Sequence, residues 1–162
     1  METLTSSTVP APAPATRPAP FPHHYKVALD WSASSVAALS APPRVAIAGG
    51  APPEFGGTDA WWSPEQLLLG AASLCLMTTF QALAARKALA LLTYSVRAEG
   101  TLEKTSAGLG FTSIVLAVTA TVAEADIART EQLLAEAKKH CIVANTLKVP
   151  IELRASVQAA PQ

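Results

Sequence analysis

The chain has 162 residues, enough for one domain with a substantial hydrophobic core. Half of its residues are hydrophobic, 15% are charged, and 12 basic and 12 acidic side chains cancel to a net charge of zero. With no net charge and no basic cluster, the chain lacks the electrostatic footprint of proteins that bind nucleic acid or an anionic membrane surface. We therefore expect neither partner.

The first 22 residues contain six prolines and are otherwise rich in alanine and threonine. Such a segment buries too little apolar surface to offset the entropy lost on ordering, which predicts a flexible leader over residues 1–22 and a single domain over residues 23–158. The leader lacks both the charged start and the apolar centre of a secretory signal. The long apolar stretch at residues 67–80 is too short to span a bilayer. These features predict a cytoplasmic protein.

Short strands are predicted at the start of the domain. Tyr25, Val27 and Leu29 alternate with polar or small residues, the period of a half-buried strand, and residues 44–48 form a second apolar run. The segment between them leaves room for a further strand. Residues 49–62 combine four glycines and two prolines, which predicts turns and no helix.

A long helix is predicted to begin after Ser63. Ser63 is a suitable N-cap, Pro64 follows in the first turn, and Gln66 completes a capping box. No helix-breaking residue follows until about residue 89. The first half of this helix is apolar nearly all round, so it should be buried on every side. One small subunit provides little cover for such a helix, which indicates a dimer.

The rest of the chain predicts a hairpin, a helix and a closing strand. Two β-branched runs flank TSAGLG, residues 126–141 form an amphipathic helix that continues for one further turn, and VPIELRASV follows as a strand. Hairpins around two long helices predict an α+β fold with mainly antiparallel strands.

The two cysteines, Cys75 and Cys141, are candidate reactive residues. Two thiols make no disulfide framework, so each is either a small packing residue or a reagent. Cys75 lies inside the apolar helix, where packing is the simpler interpretation. Cys141 ends the second helix, where it could equally be a buried cap residue. If they face each other, they could act as a peroxidatic and resolving pair.

Other residues near the long helix leave similar alternatives open. Glu65 in the first turn either stabilises the helix through a favourable interaction with the helix dipole or belongs to a functional site. Phe55, Trp61 and Trp62 either cap the core or form an apolar wall for a ligand. No metal-ligand spacing occurs, so we expect no metal and no bound cofactor.

These residues together resemble the OsmC/Ohr family of hydroperoxide reductases. The resemblance lies in the order of FGG, then SPEQLLLGAASLC with Cys75 ten residues after Glu65, and then HCIVANTL with Cys141. It covers about residues 23 to 157.

The resemblance implies an intertwined homodimer, with two long helices at its centre wrapped by mainly antiparallel strands. It also implies that Cys75 is peroxidatic, that Cys141 is resolving, and that Glu65 orients an activating arginine. The implied substrates are organic hydroperoxides and the implied reductant is an external dithiol. Ten helical residues span about 15 Å, so a Glu65 that serves the site of Cys75 must come from the partner subunit.

The sequence departs from the family at the activating arginine. Active members carry it in the first hairpin, which here corresponds to the region of Ala33 and Ser34. Arg44 is the nearest arginine, at the start of the next strand. A thiolate without a nearby cation loses its main stabiliser. The alternative prediction is therefore a non-catalytic dimer of the same fold that binds an apolar ligand.

Overall fold

A computed structural model of the chain describes residues 20–31 and 36–161. Over these described residues the chain forms six strands, three α-helices and two single turns of 3₁₀ helix. The strands are β1 (Ala28–Trp31), β2 (Val36–Ser40), β3 (Ile47–Gly50), β4 (Thr93–Thr105), β5 (Gly108–Val122) and β6 (Ile151–Ala159). The helices are α1 (Pro64–Arg86), α2 (Ile127–His140) and α3 (Ile142–Thr146). The predicted α+β class is confirmed.

The strands form two three-stranded sheets. The first has the order β1-β2-β3 with antiparallel neighbours, and β2 fills the segment that the sequence left open. The second has the order β4-β5-β6. Here β4 and β5 form the predicted antiparallel hairpin, whereas β6 runs parallel to β5 because α2 and α3 carry the chain back along the sheet.

The turn-rich segment before α1 contains one turn of 3₁₀ helix, Pro53–Phe55, so the expectation of no helix there was wrong. The two glycines that follow have separate roles. Gly56 adopts a left-handed backbone with φ 77°. A Cβ atom on Gly57 would lie 1.7 Å from the carbonyl oxygen of Ala51, so only glycine allows this approach. The backbone thus accounts for the two glycines of the Phe-Gly-Gly motif.

Helix α1 begins as predicted. The Ser63 hydroxyl accepts a hydrogen bond from the Gln66 N–H at 3.2 Å, and the Gln66 side chain accepts one from the Ser63 N–H at 3.0 Å. The helix ends at Arg86, three residues earlier than predicted, because Ala88 takes a left-handed backbone with φ 50°. The Leu89 N–H then returns to the Ala84 carbonyl, which caps the helix C-terminus.

One stripe of α1 is buried in the single chain. Ala72, Leu76, Phe80 and Ala84 recur every four residues and pack with residues of α2, β4 and β5 into the hydrophobic core. On another face, Leu74 is 59% exposed. The sequence predicts that residues 67–80 are too short to span a bilayer, but the whole helix is longer, and by length and composition it could cross a membrane, since its most apolar window has a mean hydropathy of 1.7. A core helix of a soluble protein meets the same criteria, and α1 packs on α2, α3 and β4.

The first sheet leaves its apolar side chains uncovered. Val27, Leu29 and Trp31 are all exposed, and so are Val45 and Ile47. The sheet is joined to the start of α1 by backbone hydrogen bonds between β3 and Trp62. Within the described chain, therefore, the core is built on the second sheet and the helices.

Candidate active site

Cys75 lies in the middle of α1 with its side chain partly exposed. Its carbonyl oxygen accepts hydrogen bonds from the hydroxyls of Thr78 and Thr79, at 3.1 and 2.8 Å. Those hydroxyls are therefore directed to the backbone. The Cys75 sulfur instead accepts a hydrogen bond from the backbone N–H of Val143, with 3.5 Å between nitrogen and Sγ.

Cys141 occupies the junction between α2 and α3, and its backbone is extended, with φ −67° and ψ 109°. The expectation that this residue ends one helix that continues for a further turn was therefore wrong: the chain breaks at Cys141 and a new short helix starts. The break leaves the first N–H groups of α3 without helical partners, and Val143 directs its N–H to Cys75. The Cys141 side chain itself is completely buried.

The structure brings the two thiols together. Both cysteines are free, and Val143, two residues after Cys141, donates its backbone N–H to the Cys75 sulfur, which brings the junction at Cys141 next to Cys75. Burial raises the pKa of the Cys141 thiol, and its contact with Cys75 raises it further, while the backbone N–H groups of Ala144 and Val143 act in the opposite direction. Two free thiols on neighbouring elements are candidates for a disulfide.

Glu65 lies away from the thiols, in the first turn of α1. It lines a cavity of about 370 Å³ together with Phe55, Asp59 and Phe111. Its Oε2 atom is buried and has no hydrogen-bond partner among the residues that the structure describes. Ten helical residues, about 15 Å, separate it from Cys75 of the same chain. Within one chain, therefore, Glu65 and the two cysteines do not share one site.

The three predicted substrate-binding aromatic residues are divided between cavities. Phe55 lies beside Glu65 in the first cavity. Trp61 and Trp62 border a shallow depression with Asp59 and Gln66. Trp62 also lines an apolar cavity of about 290 Å³ between the first sheet and α1, with Leu29, Leu39 and Leu67 among its walls. Cys75 is not part of the wall of any of these three cavities in the described chain.

A cation for Cys75 is not found in residues 20–31 and 36–161: no hydrogen bond there joins either thiol to Arg, Lys or His. Arg44 bonds to the Ala41 carbonyl. Two other basic residues, Arg86 and His140, line a cavity with Glu136 along the C-terminal half of α1. The region of Ala33 and Ser34, where the family carries its arginine, lies outside the described residues. Over the same ranges no group of three or more His, Cys, Asp or Glu side chains could hold a metal ion.

Sequence reasoning missed Tyr94, which lies on β4 and packs against the core. Its ring stacks on Phe80 of α1, with 5.7 Å between ring centroids. Burial raises the pKa of Tyr94 to about 12, and the charge of an ionised Cys141 contributes to the rise. The sequence does place Tyr94 in a predicted strand, where an inward side chain would bury its hydroxyl. A buried tyrosine hydroxyl normally needs a hydrogen-bond partner, and this need could have drawn attention to Tyr94.

Comparison with known proteins identifies the fold. The sequence model for the family described as OsmC-like protein matches residues 57–156. An OsmC-like protein of unknown function from Vibrio cholerae superimposes with a TM-score of 0.74 at 21% identity, over 84% of this chain and 99% of the other. A search of curated protein sequences gives no match.

Two further solved structures carry more specific names. An organic hydroperoxide resistance protein from Legionella pneumophila gives a TM-score of 0.67 at 19% identity, covering 85% of this chain and 99% of the other. An organic hydroperoxide resistance protein from Elizabethkingia anophelis gives 0.68 at 16% identity, covering 86% and 100%. At these identities the likeness establishes a common fold.

Proposed function

Because the chain belongs to the OsmC-like family, we propose that it is a thiol-dependent peroxidase that reduces organic hydroperoxides. The observation that carries the proposal is the hydrogen bond from the Val143 N–H to the Cys75 sulfur, which brings Cys75 next to Cys141 although the two are far apart in sequence. The names of the Legionella and Elizabethkingia proteins support the choice of substrate.

The proposed reaction begins at Cys75, since its side chain is partly exposed and that of Cys141 is buried. The Cys75 thiolate attacks the O–O bond of the hydroperoxide, takes one oxygen as a sulfenic acid, and releases the alcohol once a proton is supplied. The Cys141 thiol then displaces water from the sulfenic acid and forms the Cys75–Cys141 disulfide. An external dithiol reduces this disulfide, becomes a disulfide itself, and restores both thiols. No metal or bound cofactor takes part.

We propose that the active form is a homodimer. The exposed face of α1 and the uncovered apolar side of the first sheet supply the surface that a second copy would bury. In that dimer, Glu65 of one subunit serves the thiol pair of the other, because 15 Å of helix separates it from its own Cys75. Phe55, Trp61 and Trp62 supply apolar walls for the organic part of the substrate. The proposed location is the cytoplasm, where thiols are kept reduced.

Thiol counting after peroxide treatment tests the proposed reaction. The reduced protein is mixed with cumene hydroperoxide and its free thiols are then counted. We expect both thiols of each chain to be lost to an intramolecular disulfide. Cys75→Ser should abolish the reaction, whereas Cys141→Ser should stop it at the sulfenic acid. Thiols that persist in excess hydroperoxide would contradict the proposal.

Two observations favour a second function, a non-catalytic dimer that binds an apolar ligand. Within the described residues neither thiol is bonded to a basic side chain, and the cavity beside Trp62 is lined almost entirely by apolar residues. Under this alternative, the thiols persist in hydroperoxide and an apolar fluorescent probe binds to the protein. Trp62→Ala would then weaken the binding of the probe.

A further inference from the structure

The break between α2 and α3 turns one backbone N–H toward the Cys75 sulfur. Cys141 has an extended backbone at this break, and Val143 lies in the first turn of α3. In a continuous helix the Val143 N–H would bond to the carbonyl of Lys139, four residues earlier. It bonds instead to the Cys75 sulfur, with 3.5 Å between nitrogen and Sγ. The break is therefore what makes this donor available to Cys75.

The side chain of Asn145 holds this break in place. Its amide nitrogen donates a hydrogen bond to the Lys139 carbonyl at 2.9 Å. That carbonyl is the one to which the Val143 N–H would bond in a continuous helix. The backbone N–H of Asn145 bonds to the Cys141 carbonyl, also at 2.9 Å, and closes the first turn of α3. Asn145 thus satisfies a carbonyl at the end of α2 and leaves the Val143 N–H for the sulfur.

An N–H directed at a sulfur favours the form of the thiol that reacts. The thiolate is the nucleophile, and a hydrogen bond to an ionised acceptor is about twice as strong as one between neutral groups. Helix α3 has five residues, and none of them is charged, so the stabilisation comes from the directed N–H and not from a long helix or a basic side chain. The titratable group facing this segment is Cys141, whose pKa is raised by burial and lowered by the N–H groups of Ala144 and Val143. The segment therefore presents N–H groups to both sulfurs.

We propose that the Val143 N–H stabilises the thiolate of Cys75, and that Asn145 is the positioning residue that keeps this N–H free. Without the Asn145 amide the Lys139 carbonyl would lack a partner, and the Val143 N–H would satisfy it by continuing α2. The Cys75 sulfur would then lose its donor. In the attack on a hydroperoxide, an electron pair of the sulfur forms the S–O bond, the pair of the O–O bond leaves with the alcohol oxygen, and Val143 keeps its proton. This inference rests on the proposed role of Cys75 as the attacking thiol.

The test compares Asn145→Leu with Thr146→Val. The Thr146 hydroxyl also donates to a backbone carbonyl at 2.9 Å, that of Ile142, but within α3 and not across the break. Alkylation of Cys75 by iodoacetamide is followed by mass spectrometry, so no hydroperoxide is involved and the result stands apart from the peroxidase test. At neutral pH we expect alkylation to be about tenfold slower in Asn145→Leu and normal in Thr146→Val. At about pH 10, above the ordinary range of thiol ionisation, all three proteins should react alike. Equal rates at neutral pH, or a fall at both pH values, would overturn the proposal.

Amide NMR observes the donor itself. In nitrogen-15-labelled protein, the Val143 amide proton should move downfield as the pH rises from about 6.5 to about 8.5, because an ionised sulfur is a stronger acceptor than a thiol. The movement should be largely lost in Asn145→Leu and kept in Thr146→Val. Cys75→Ser identifies the sulfur responsible, since Cys141 is then the single cysteine. A Val143 amide that ignores pH, or that responds equally after Cys75→Ser, would contradict the proposal even if alkylation had slowed.

Discussion

Cys75 and Cys141 differ in access, and under the proposed reaction this difference gives them different roles. Cys75 is partly exposed on α1, whereas Cys141 is buried at a break between two helices. A peroxidatic thiol must meet a substrate from outside, while a resolving thiol need only meet its neighbour. The donor to the Cys75 sulfur is a backbone N–H, from Val143. Such a donor carries no full charge, so within the described residues the hydrogen bond to the Cys75 sulfur comes from a backbone dipole.

The pH dependence of disulfide closure follows from the environment of Cys141. Because burial raises its pKa, the reactive thiolate is scarce at neutral pH and becomes more abundant well into the alkaline range. We expect closure after sulfenic acid formation to accelerate with pH through the ordinary cysteine value of about 8.5 without reaching a plateau there. Stopped-flow measurement of disulfide formation in single turnovers checks this. A plateau below that pH would show that the pKa of Cys141 is not raised.

The raised pKa of Cys141 also makes the stability of the fold depend on pH. The folded state favours the neutral Cys141 thiol. The stability gained from this preference is fully present at pH values below the pKa that Cys141 has in the unfolded chain. It is lost as the pH rises from that value through the higher pKa of the folded state. Cys141→Ala should therefore flatten the fall in stability at alkaline pH, as measured by chemical denaturation.

Helix α1 shows how a single backbone position sets the length of an element. Its C-terminal cap requires a left-handed residue, and Ala88 occupies that position with φ 50°. A side chain is unfavourable there, whereas glycine adopts this backbone freely. Ala88→Gly should therefore stabilise the protein by about 0.5–1 kcal/mol, after allowance for the greater freedom of glycine in the unfolded chain.

Urea denaturation measures this effect, and Ala85→Gly is the matched control. Ala85 lies inside α1 and is also exposed, but its backbone is helical. Glycine there should cost about 1 kcal/mol. Destabilisation by both substitutions would mean that Ala88 is not left-handed in solution.

Local signals in the sequence predicted most elements but not all of their ends. The start of α1 was predictable because Ser63, Pro64 and Gln66 act within one turn. Its end was not, since alanine gives no sign of a left-handed backbone. The break at Cys141 was hidden for the same reason, because no glycine or proline marks it. The contact between the cysteines depends on the packing of α3 on α1, which no local pattern encodes.

At the scale of the whole molecule, apolar side chains of the first sheet and of α1 are exposed in the single chain. The first sheet exposes Leu29 and Trp31, and α1 exposes Leu74 although its sequence is that of a buried helix. Glu65 has a buried oxygen without a partner in the described chain. A second copy that covers these surfaces would complete both the core and the site.

Leu74→Asp tests the homodimer directly. Leu74 is 59% exposed on α1, and a carboxylate there would be buried against the partner, which is strongly unfavourable. We expect the variant to sediment as a monomer. Leu109→Asp is the control, because Leu109 is 66% exposed at the tip of the β4–β5 hairpin, away from α1, and should leave the dimer intact. If both variants remain dimeric, the face of α1 around Leu74 is not the interface.

The same pair of variants decides where Glu65 acts. In the monomer the two cysteines keep their contact, since both belong to one chain, so diamide should still join them. The nearest Glu65 is then about 15 Å away along α1. Turnover of cumene hydroperoxide should therefore fall at least tenfold in Leu74→Asp and stay normal in Leu109→Asp. A monomer with full peroxidase activity would show that the thiol pair works without the Glu65 of a partner subunit, and the dimer would then serve only to bury apolar surface.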